Sequence, residues 1–399
     1  KGTVSRKQAL KILLRVESEK AYANIALFSE IERTQLSDRD RALVTCLVQG
    51  VIRNRGLLDS KIQKLSKRPV DKMSGVLLNT LRLGMFQLEF LDDMPPSAVV
   101  NTSTAIARDM GHEGIAKFTN ALLRTHLRTK ESEEIEKPQT SQELSTTYSM
   151  PLWIVERWLK NYGYEETKEF LSFTLKKPDR FIRVNSMAIT AEGLKEMLSR
   201  QGIETVESQI VPDCLKIVSI KKKSGKLENL ASYKEGLFSI QDEAASLVSY
   251  LVSPENGDRI LDLCAAPGGK ALHLAELLNE TGKVIACDLY AGRLNFLKEN
   301  IERLGLSNIE IIEADGRTLN LEEKVDKVLL DAPCSGTGVL NRKTDIKYRR
   351  KEDDLKELPL LQKALLENGF NLLKSDGILT YATCSLEPEE NYLVVKDFC

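Results

Sequence analysis

The sequence predicts a multidomain protein with an all-α N-terminal region, a small α/β middle domain and a C-terminal α/β domain built on a doubly wound parallel sheet. Three observations support this prediction. Apolar residues recur at helical spacing over the first 130 residues, helix and strand patterns mix after residue 148, and strands alternate regularly with helices after about residue 236. A chain of 399 residues is also too long for a single hydrophobic core.

Residues 1–130 are predicted to be helical throughout. Ala9, Leu10 and Leu13 recur at helical spacing, and Ser37 is a credible N-cap for a later helix. This region contains 22 Lys and Arg against 13 Asp and Glu, whereas the rest of the chain is acidic. A basic module attached to an acidic one indicates a surface for a polyanion. A helical domain that merely has many solvated lysines is the alternative.

The middle of the chain begins with a polar stretch. Residues 131–147 combine clustered glutamates with turn-forming residues and are predicted to be a linker. Residues 148–235 mix helical patterns with short strands at Phe181–Asn185 and Leu215–Val218, as in a small α/β (RRM-like) domain. Lys221–Lys223 is interpreted as a solvated turn.

The C-terminal segment, residues 236–399, alternates strands and helices. The predicted strands end at acidic residues, namely Asp262, Asp288, Glu313 and Asp331. Helices are predicted over residues 269–279, 291–304 and 357–373. This alternation is typical of a parallel sheet with right-handed crossovers, in which ligands bind at the carboxyl ends of the strands.

A turn of small residues follows the first of these strands. Residues 264–270 read Cys-Ala-Ala-Pro-Gly-Gly-Lys, so the backbone can approach a ligand closely and the next helix opens with free N–H groups. The GxGxxG and GxxxxGK[ST] patterns are absent. Asp288 is placed to bind ribose hydroxyls, and Asp315 to accept an adenine amino group. An acid after each of the first three strands favours a nucleoside cofactor, although any single one is as often a helix cap.

Two cysteines follow predicted strands. Cys334 comes after Val328–Leu330, and Cys384 comes after Ile378–Tyr381. If these strands are neighbours, the two thiols face one pocket, which indicates covalent chemistry on an electron-poor ring.

The remaining composition excludes other classes of protein. Seven cysteines without a CxxC pair, together with three histidines, argue against a disulfide framework and a metal site. We therefore predict reduced thiols, no bound metal and a cytoplasmic location. No apolar run approaches the roughly 20 residues needed to span a bilayer, so no membrane partner is expected.

Three motifs together resemble a known family. Asp262–Lys270, Asp331–Gly338 and Thr383–Ser385 resemble the signature motifs of RNA cytosine-C5 methyltransferases that use S-adenosyl-L-methionine (AdoMet). Arg183–Asn185 and Ser239–Glu243 are similar to the upstream motifs of that family. The N-terminal helices resemble a NusB-like domain through two segments, Ser37–Ala42 and Leu81–Gln87. The combination resembles the bacterial 16S rRNA enzymes of the Fmu/Sun (RsmB) type over nearly the whole chain.

The resemblance implies a monomeric enzyme that takes AdoMet as cofactor and unassembled or partly assembled 16S rRNA, not DNA, as substrate. It assigns Cys384 as the nucleophile that adds to carbon 6 of cytosine, and Cys334 to product release. It implies a cofactor pocket lined by Cys264, Ala265, Ala266, Pro267, Gly268, Gly269, Lys270, Asp288, Arg293, Asp315 and Asp331. The sheet of the family continues for two more strands after the Thr-Cys-Ser segment, so a C-terminally truncated fragment is the expectation.

Residue chemistry adds roles and leaves alternatives open. Asp331 is placed to contact ring nitrogen 3 of the base, and Lys270 either lowers the pKa of the attacking thiol or pairs with a strand-end carboxylate. Spacing alone does not decide which cysteine attacks, because related DNA enzymes use a Pro-Cys nucleophile like Cys334. The basic run Arg342–Lys351 either holds substrate phosphates or forms a charge-balanced helix end.

Three functions are consistent with these patterns. The first is formation of 5-methylcytosine in 16S rRNA. The second is a non-catalytic RNA-binding factor for ribosome assembly or antitermination. The third is methylation of tRNA or other RNA, of DNA or of protein. Two intact cysteines beside Asp331 favour an active enzyme, and the Thr-Cys-Ser cysteine with the NusB-like helices weighs against DNA and protein.

Overall fold

The computed structural model describes residues 2–19, 21–34, 36–129, 138–221 and 226–399. The chain forms two compact units, the first comprising Lys1–Lys177 with Val339–Glu352 and the second Pro178–Gly338 with Asp353–Cys399. The glutamates at 131, 133, 134 and 136 of the predicted linker, and Lys222 and Lys223, lie outside the described residues.

The first unit is helical. Its described helices are α1 (Thr3–Ser18), α2 (Ala23–Arg33), α3 (Asp38–Arg53), α4 (Arg55–Leu65), α5 (Gly75–Phe90), α6 (Pro96–Met110), α7 (Glu113–Thr129), α8 (Ser141–Thr147) and α9 (Leu152–Leu175). Ser37 caps α3 as predicted, since its hydroxyl accepts a hydrogen bond from the Asp40 N–H at 3.2 Å. Helix α8 lies within the predicted linker and begins at a capping box formed by Thr140 and Glu143. Within the described ranges, no helix combines the length and hydropathy needed to cross a bilayer.

The segment Val339–Glu352 packs among these helices although it is far away in sequence. The Lys347 side chain is 1% exposed and donates to the Arg53 carbonyl at 3.0 Å. The Asp345 carboxylate accepts from the Ala23 N–H at 3.1 Å. Because Lys347 is buried, it cannot contact a substrate phosphate, so the phosphate-binding alternative for Arg342–Lys351 does not hold at this residue.

The second unit contains two sheets. Its elements are β1 (Arg180–Val184), α10 (Ala191–Arg200), β2 (Ile203–Glu207), β3 (Cys214–Ile220), α11 (Ala231–Lys234), β4 (Phe238–Ile240), α12 (Glu243–Val252), β5 (Arg259–Asp262), α13 (Gly269–Leu277), β6 (Lys283–Asp288), α14 (Ala291–Leu304), β7 (Ile309–Glu313), β8 (Val325–Asp331), α15 (Asp354–Asn371), β9 (Leu373–Ala382) and α16 (Tyr392–Phe398). Strands β1 to β4 form an antiparallel sheet in the order β2-β3-β1-β4.

The second sheet is parallel, with the strand order β7-β6-β5-β8-β9. Its strands are covered by two apolar clusters, one centred on Ile260 and Leu274 and the other on Leu261 and Val328. The strand order reverses between β5 and β8, and this reversal opens a crevice at the carboxyl edge of the sheet. The predicted fold class is confirmed, including the four acidic strand ends.

Candidate active site

The two predicted site cysteines leave adjacent strands. Asp331 at the end of β8 pairs with Ala382 at the end of β9, and the Ala332 N–H donates to the Ala382 carbonyl at 2.9 Å. The two strands are therefore neighbours, which was the condition for both thiols to face one pocket. The Sγ atoms of Cys334 and Cys384 lie 3.3 Å apart. At this separation, both thiols can contact one substrate ring at the carboxyl edge of the sheet.

The environments of the two thiols differ. The contact with Cys384 and burial raise the pKa of Cys334, so Cys334 keeps its proton at neutral pH. Cys384 is the more exposed of the pair. A protonated Cys334 can donate its S–H to a Cys384 thiolate. This asymmetry favours Cys384 as the attacking group.

Lys270 lies beside a carboxylate. Its Nζ donates to Oδ2 of Asp331 at 2.5 Å, and both side chains are partly exposed. Of the two alternatives for Lys270, the structure shows the contact with a strand-end carboxylate. The pair places one positive and one negative charge at the end of β8, close in sequence to Cys334.

The small-residue turn after β5 is held mainly by Asp288 and Arg293. The Asp288 carboxylate accepts from the Ala266 N–H at 3.1 Å, and the Arg293 guanidinium donates to the Ala266 carbonyl at 2.6 Å. Gly268 has φ of 112°, and a Cβ there would lie 2.6 Å from the Leu297 side chain. Only glycine fits this position. Asp288 and Arg293 therefore shape the turn that was predicted to hold a cofactor.

Asp315 follows β7 and is engaged by its neighbour. Arg317 donates to both carboxylate oxygens of Asp315, through Nε at 3.0 and 3.1 Å and through Nη2 at 2.5 Å. These hydrogen bonds lower the pKa of Asp315. The carboxylate is thus an ionised acceptor at the edge of the crevice, and contact with an adenine amino group remains a prediction.

Asp262 is a buried carboxylate with few hydrogen-bond partners. It is 1% exposed, and among the described residues only the Cys264 backbone N–H approaches its carboxylate as a donor, in a geometry short of a well-formed hydrogen bond. Burial and the neighbouring Asp331 raise the pKa of Asp262 to about 7. Buried carboxylates normally have partners, so this position suits a cationic or hydrogen-bond-donating ligand group. The sequence predicts an acid at the end of this strand, but nothing in the sequence distinguishes Asp262 from the other acidic strand ends.

Glu390 was missed at the sequence level. It is fully buried and contacts the residues that directly follow each of the two cysteines, Ser335 and Ser385. The only signal in the sequence is a charged Glu-Glu-Asn string soon after Thr-Cys-Ser, which looks like an exposed turn.

A doubly wound parallel sheet with a glycine-containing turn after its first strand and acids at the next strand ends defines a Rossmann-like nucleoside-cofactor domain, and the thiol pair adds a nucleophilic centre. Comparison with known families agrees. The family 16S rRNA methyltransferase RsmB/F matches residues 249–399, the NusB family matches residues 3–128, and the ferredoxin-like domain of RsmF/B-like methyltransferases matches residues 150–221.

Curated relatives extend the match to the full length. The chain is 35% identical over 403 residues to the probable ribosomal RNA small subunit methyltransferase B of Bacillus subtilis, covering 100% of this chain and 88% of that protein. It is 33% identical to ribosomal RNA small subunit methyltransferase B of Escherichia fergusonii, covering 91% and 83%. The chain belongs to the RsmB/F family of AdoMet-dependent rRNA methyltransferases, with a NusB-like N-terminal region and a ferredoxin-like middle domain.

Solved structures agree with the fold. The crystal structure of PH0851 aligns with a TM-score of 0.81 at 27% identity, covering 99% of this chain and 89% of that one. NSun6 from Pyrococcus horikoshii, crystallised with SFG, aligns with a TM-score of 0.55 at 25% identity, covering 61% and 85%.

Proposed function

We propose that the protein forms 5-methylcytosine in 16S rRNA through a covalent bond between Cys384 and carbon 6 of the target base. The observation that carries the proposal is the pair of thiols 3.3 Å apart at the ends of β8 and β9. Methylation of an oxygen or an exocyclic amine needs no thiol, because those atoms already carry a lone pair. Carbon 5 of cytosine is a poor nucleophile and does need one, since thiol addition turns the ring into an enamine.

The first step uses the asymmetry of the thiol pair. The Cys384 thiolate, stabilised by the S–H of Cys334, bonds to carbon 6 and breaks the double bond between carbons 5 and 6. The electron pair moves into the ring toward nitrogen 3. Asp331 is the group of this chain nearest in sequence to act there. Its carboxyl must hold a proton when the base binds; it donates that proton to nitrogen 3, and the resulting carboxylate is the form that pairs with Lys270.

The last step needs a base. Because Cys334 already carries its proton, the base is a water that Cys334 positions, which removes the proton from carbon 5, and the Asp331 carboxylate takes back the proton from nitrogen 3. The electron pair of that C–H bond re-forms the ring double bond, and the bond between carbon 6 and sulfur breaks. Cys384 leaves as the thiolate with which it started, so the enzyme is regenerated.

The residues at the crevice fit AdoMet. The methylsulfonium of AdoMet supplies an electrophilic methyl group for carbon 5. The two unsatisfied oxygens of Asp262 suit an ammonium group, which the methionine part of AdoMet carries. The turn of residues 264–270, which Asp288 and Arg293 hold, offers backbone N–H groups, and Asp315 offers an ionised acceptor. NSun6, whose structure contains SFG, has a comparable fold.

The proposed substrate is RNA with an accessible cytosine. The target base must leave its stack to reach the thiols, which costs a few kcal/mol and least in an unpaired loop. The excess of Lys and Arg in residues 1–130 supports binding of a polyanion by the NusB-like helices. The names of the curated relatives support small-subunit rRNA as that polyanion. We further propose that the protein acts as a monomer in the cytoplasm on unassembled or partly assembled rRNA.

The proposal is tested by offering methyl-labelled AdoMet with 16S rRNA, tRNA or duplex DNA and identifying the labelled nucleoside by mass spectrometry. We expect 5-methylcytidine from 16S rRNA alone, and none from the C384A variant. The matched control is C46A, because Cys46 is an exposed cysteine of α3 outside the site. Labelled nucleosides other than 5-methylcytidine, or normal turnover by C384A, contradict the proposal.

A further inference from the structure

A buried carboxylate joins the two cysteine-bearing turns. Glu390 is fully buried in a short 3-10 turn, Pro388–Glu390, before α16. Its Oε1 accepts from the Ser335 N–H at 2.7 Å, and its Oε2 accepts from the Ser335 hydroxyl. Oε2 also accepts from the Ser385 hydroxyl at 2.5 Å. Ser335 directly follows Cys334, and Ser385 directly follows Cys384.

A further contact ties this carboxylate to α15. The Gln362 side-chain amide donates to Oε1 of Glu390 at 3.1 Å and to the Pro333 carbonyl at 2.9 Å. Pro333 directly precedes Cys334, so that turn is held on both sides of its cysteine. All four groups that donate to Glu390 are uncharged. An ionised carboxylate is costly to bury, and such a set of donors is the arrangement that offsets this cost.

We propose that Glu390 is a positioning residue of the thiol pair: its carboxylate fixes the turns of Cys334 and Cys384 relative to each other. The two turns come from different strands, and backbone pairing of β8 with β9 ends at Asp331 and Ala382, before either cysteine. Beyond that point, Gly338 donates its N–H to the Cys384 carbonyl at 2.9 Å, and the Ser385 hydroxyl lies 3.1 Å from that of Ser335 and 3.3 Å from that of Thr337. Glu390 adds a buried acceptor that both serine hydroxyls share. The role in catalysis rests on the proposed function, but the geometric claim does not.

Two substitutions separate geometry from charge. In E390Q, the amide oxygen can accept from the Ser335 N–H and Gln362, and the amide nitrogen can donate to the two serine hydroxyl oxygens. E390Q therefore keeps the four contacts and loses the charge. E390A loses all of the contacts. S335A and S385A each remove one hydroxyl and serve in place of E390A if that variant does not fold.

The separation of the thiols can be measured without any methyl transfer. Diamide oxidises two neighbouring thiols to a disulfide, and its N=N bond takes up the two electrons and two protons. We expect mass spectrometry of the intact 399-residue chain to show rapid formation of the Cys334–Cys384 bond in the wild type and in E390Q. In E390A the rate should fall about tenfold, because disulfide formation requires a narrow range of Cβ separation and direction. The control is E367Q, an exposed carboxylate on α15.

The methylation rate provides the second readout. We expect E390A to lower kcat about 100-fold with little change in the KM for AdoMet, because small misplacements of catalytic groups reduce rate more than binding. E390Q should retain kcat within a few-fold. Thiol oxidation and kcat at the wild-type level in E390A overturn the inference, and so does E390Q behaving like E390A. Rapid wild-type thiol oxidation without 5-methylcytidine formation contradicts the proposed function alone.

Discussion

At the residue scale, the chemistry of the candidate site depends on which of its side chains are protonated near neutral pH. The contact with Cys384 and burial raise the pKa of Cys334, and burial raises the pKa of Asp262 to about 7. Asp331 and Lys270 form an ion pair at the mouth of the same crevice. A site of this kind should respond to pH both in cofactor binding and in stability.

Asp262 gives a pH-dependent prediction for AdoMet affinity. The pKa of its carboxyl is raised to about 7, and an ammonium group beside it favours the ionised form. Binding near pH 7 should therefore release a proton, and affinity should rise with pH until the carboxyl is ionised. D262N should release no proton on binding and show no rise of affinity with pH. It should also bind AdoMet about tenfold more weakly than the wild type. Calorimetric titration in two buffers of different protonation enthalpy measures the released proton.

The stability of the unliganded protein has the opposite dependence. Between the ordinary pKa of 3.8 and about 7, the native carboxyl of Asp262 holds a proton that the unfolded chain has lost. Stability therefore falls as pH rises through this window and levels off above it. D262N should remove that fall, whereas D376N, an exposed carboxylate in the same unit, should not. If the stability of D262N depends on pH as that of the wild type does, the raised pKa of Asp262 is contradicted.

At the element scale, a buried charge network joins the antiparallel sheet to a helix of the parallel-sheet domain. Arg183 of β1 donates through Nε to the Gln241 side chain at 2.6 Å and pairs with Glu276 of α13. Arg183 is fully buried, and Glu276 is 3% exposed. Gln241 lies against Gly269, since a Cβ there would be 3.6 Å from its side-chain amide. Arg183 and Gln241 belong to the upstream motifs of the sequence, so those motifs pack against the turn of residues 264–270.

Removing Arg183 should destabilise the second unit strongly. R183M leaves Glu276 buried without its cation, and breaking a buried pair in this way costs about 3–5 kcal/mol. Unfolding of the second unit, followed by circular dichroism, measures the loss. Both tryptophans of the chain, Trp153 and Trp158, lie in α9, so their fluorescence reports the first unit separately.

The matched control for R183M is R200M on α10. Arg200 is exposed and lies 3.6 Å from Glu196, one turn earlier in the same helix, and such surface pairs contribute little. A loss for R183M no larger than that for R200M contradicts a structural role for the buried pair.

Strand ends and turns were predictable because local sequence determines them. Each parallel strand is a short apolar run closed by an acid, and the structure ends β5, β6 and β8 at Asp262, Asp288 and Asp331 as predicted. The proximity of Cys334 and Cys384 followed once their strands were assumed to be neighbours. Glu390 was not predictable, because its burial depends on Gln362 and two serines that only the tertiary fold brings together.

At the scale of the whole molecule, one segment of the chain interrupts the second unit and belongs to the first. Val339–Glu352 leaves the second unit directly after the Cys334 turn, belongs to the first unit and then returns at Asp353. Sequence patterns could not show this, because a run of basic residues predicts an exposed surface whereas Lys347 is buried by distant helices. Deletion of residues 1–130 would remove Arg53 and Ala23, which hold this segment, so point substitutions test the RNA-binding role of the helices more cleanly.

Lys347 gives a prediction for the stability of the first unit. Burial lowers the pKa of Lys347 to about 7, so between about pH 7 and its ordinary value of 10.5 the unfolded chain holds a proton that the native protein lacks. Stability should therefore rise with pH in this window, by at most about 1.4 kcal/mol per pH unit. K347M should remove that rise. Urea unfolding followed by tryptophan fluorescence at pH 7, 8 and 9 measures it, and an unchanged slope in K347M would show that Lys347 does not titrate there.

The central claim is that Cys384 attacks the base and Cys334 is needed for release. The most direct measurement is a denaturing gel of the C334A variant after incubation with AdoMet and 16S rRNA. The account predicts a slowly migrating protein–RNA adduct that is absent from C384A and from the C334A/C384A double variant. Absence of the adduct in C334A, with methyl transfer also lost, would contradict the account and point to Cys334 as the nucleophile.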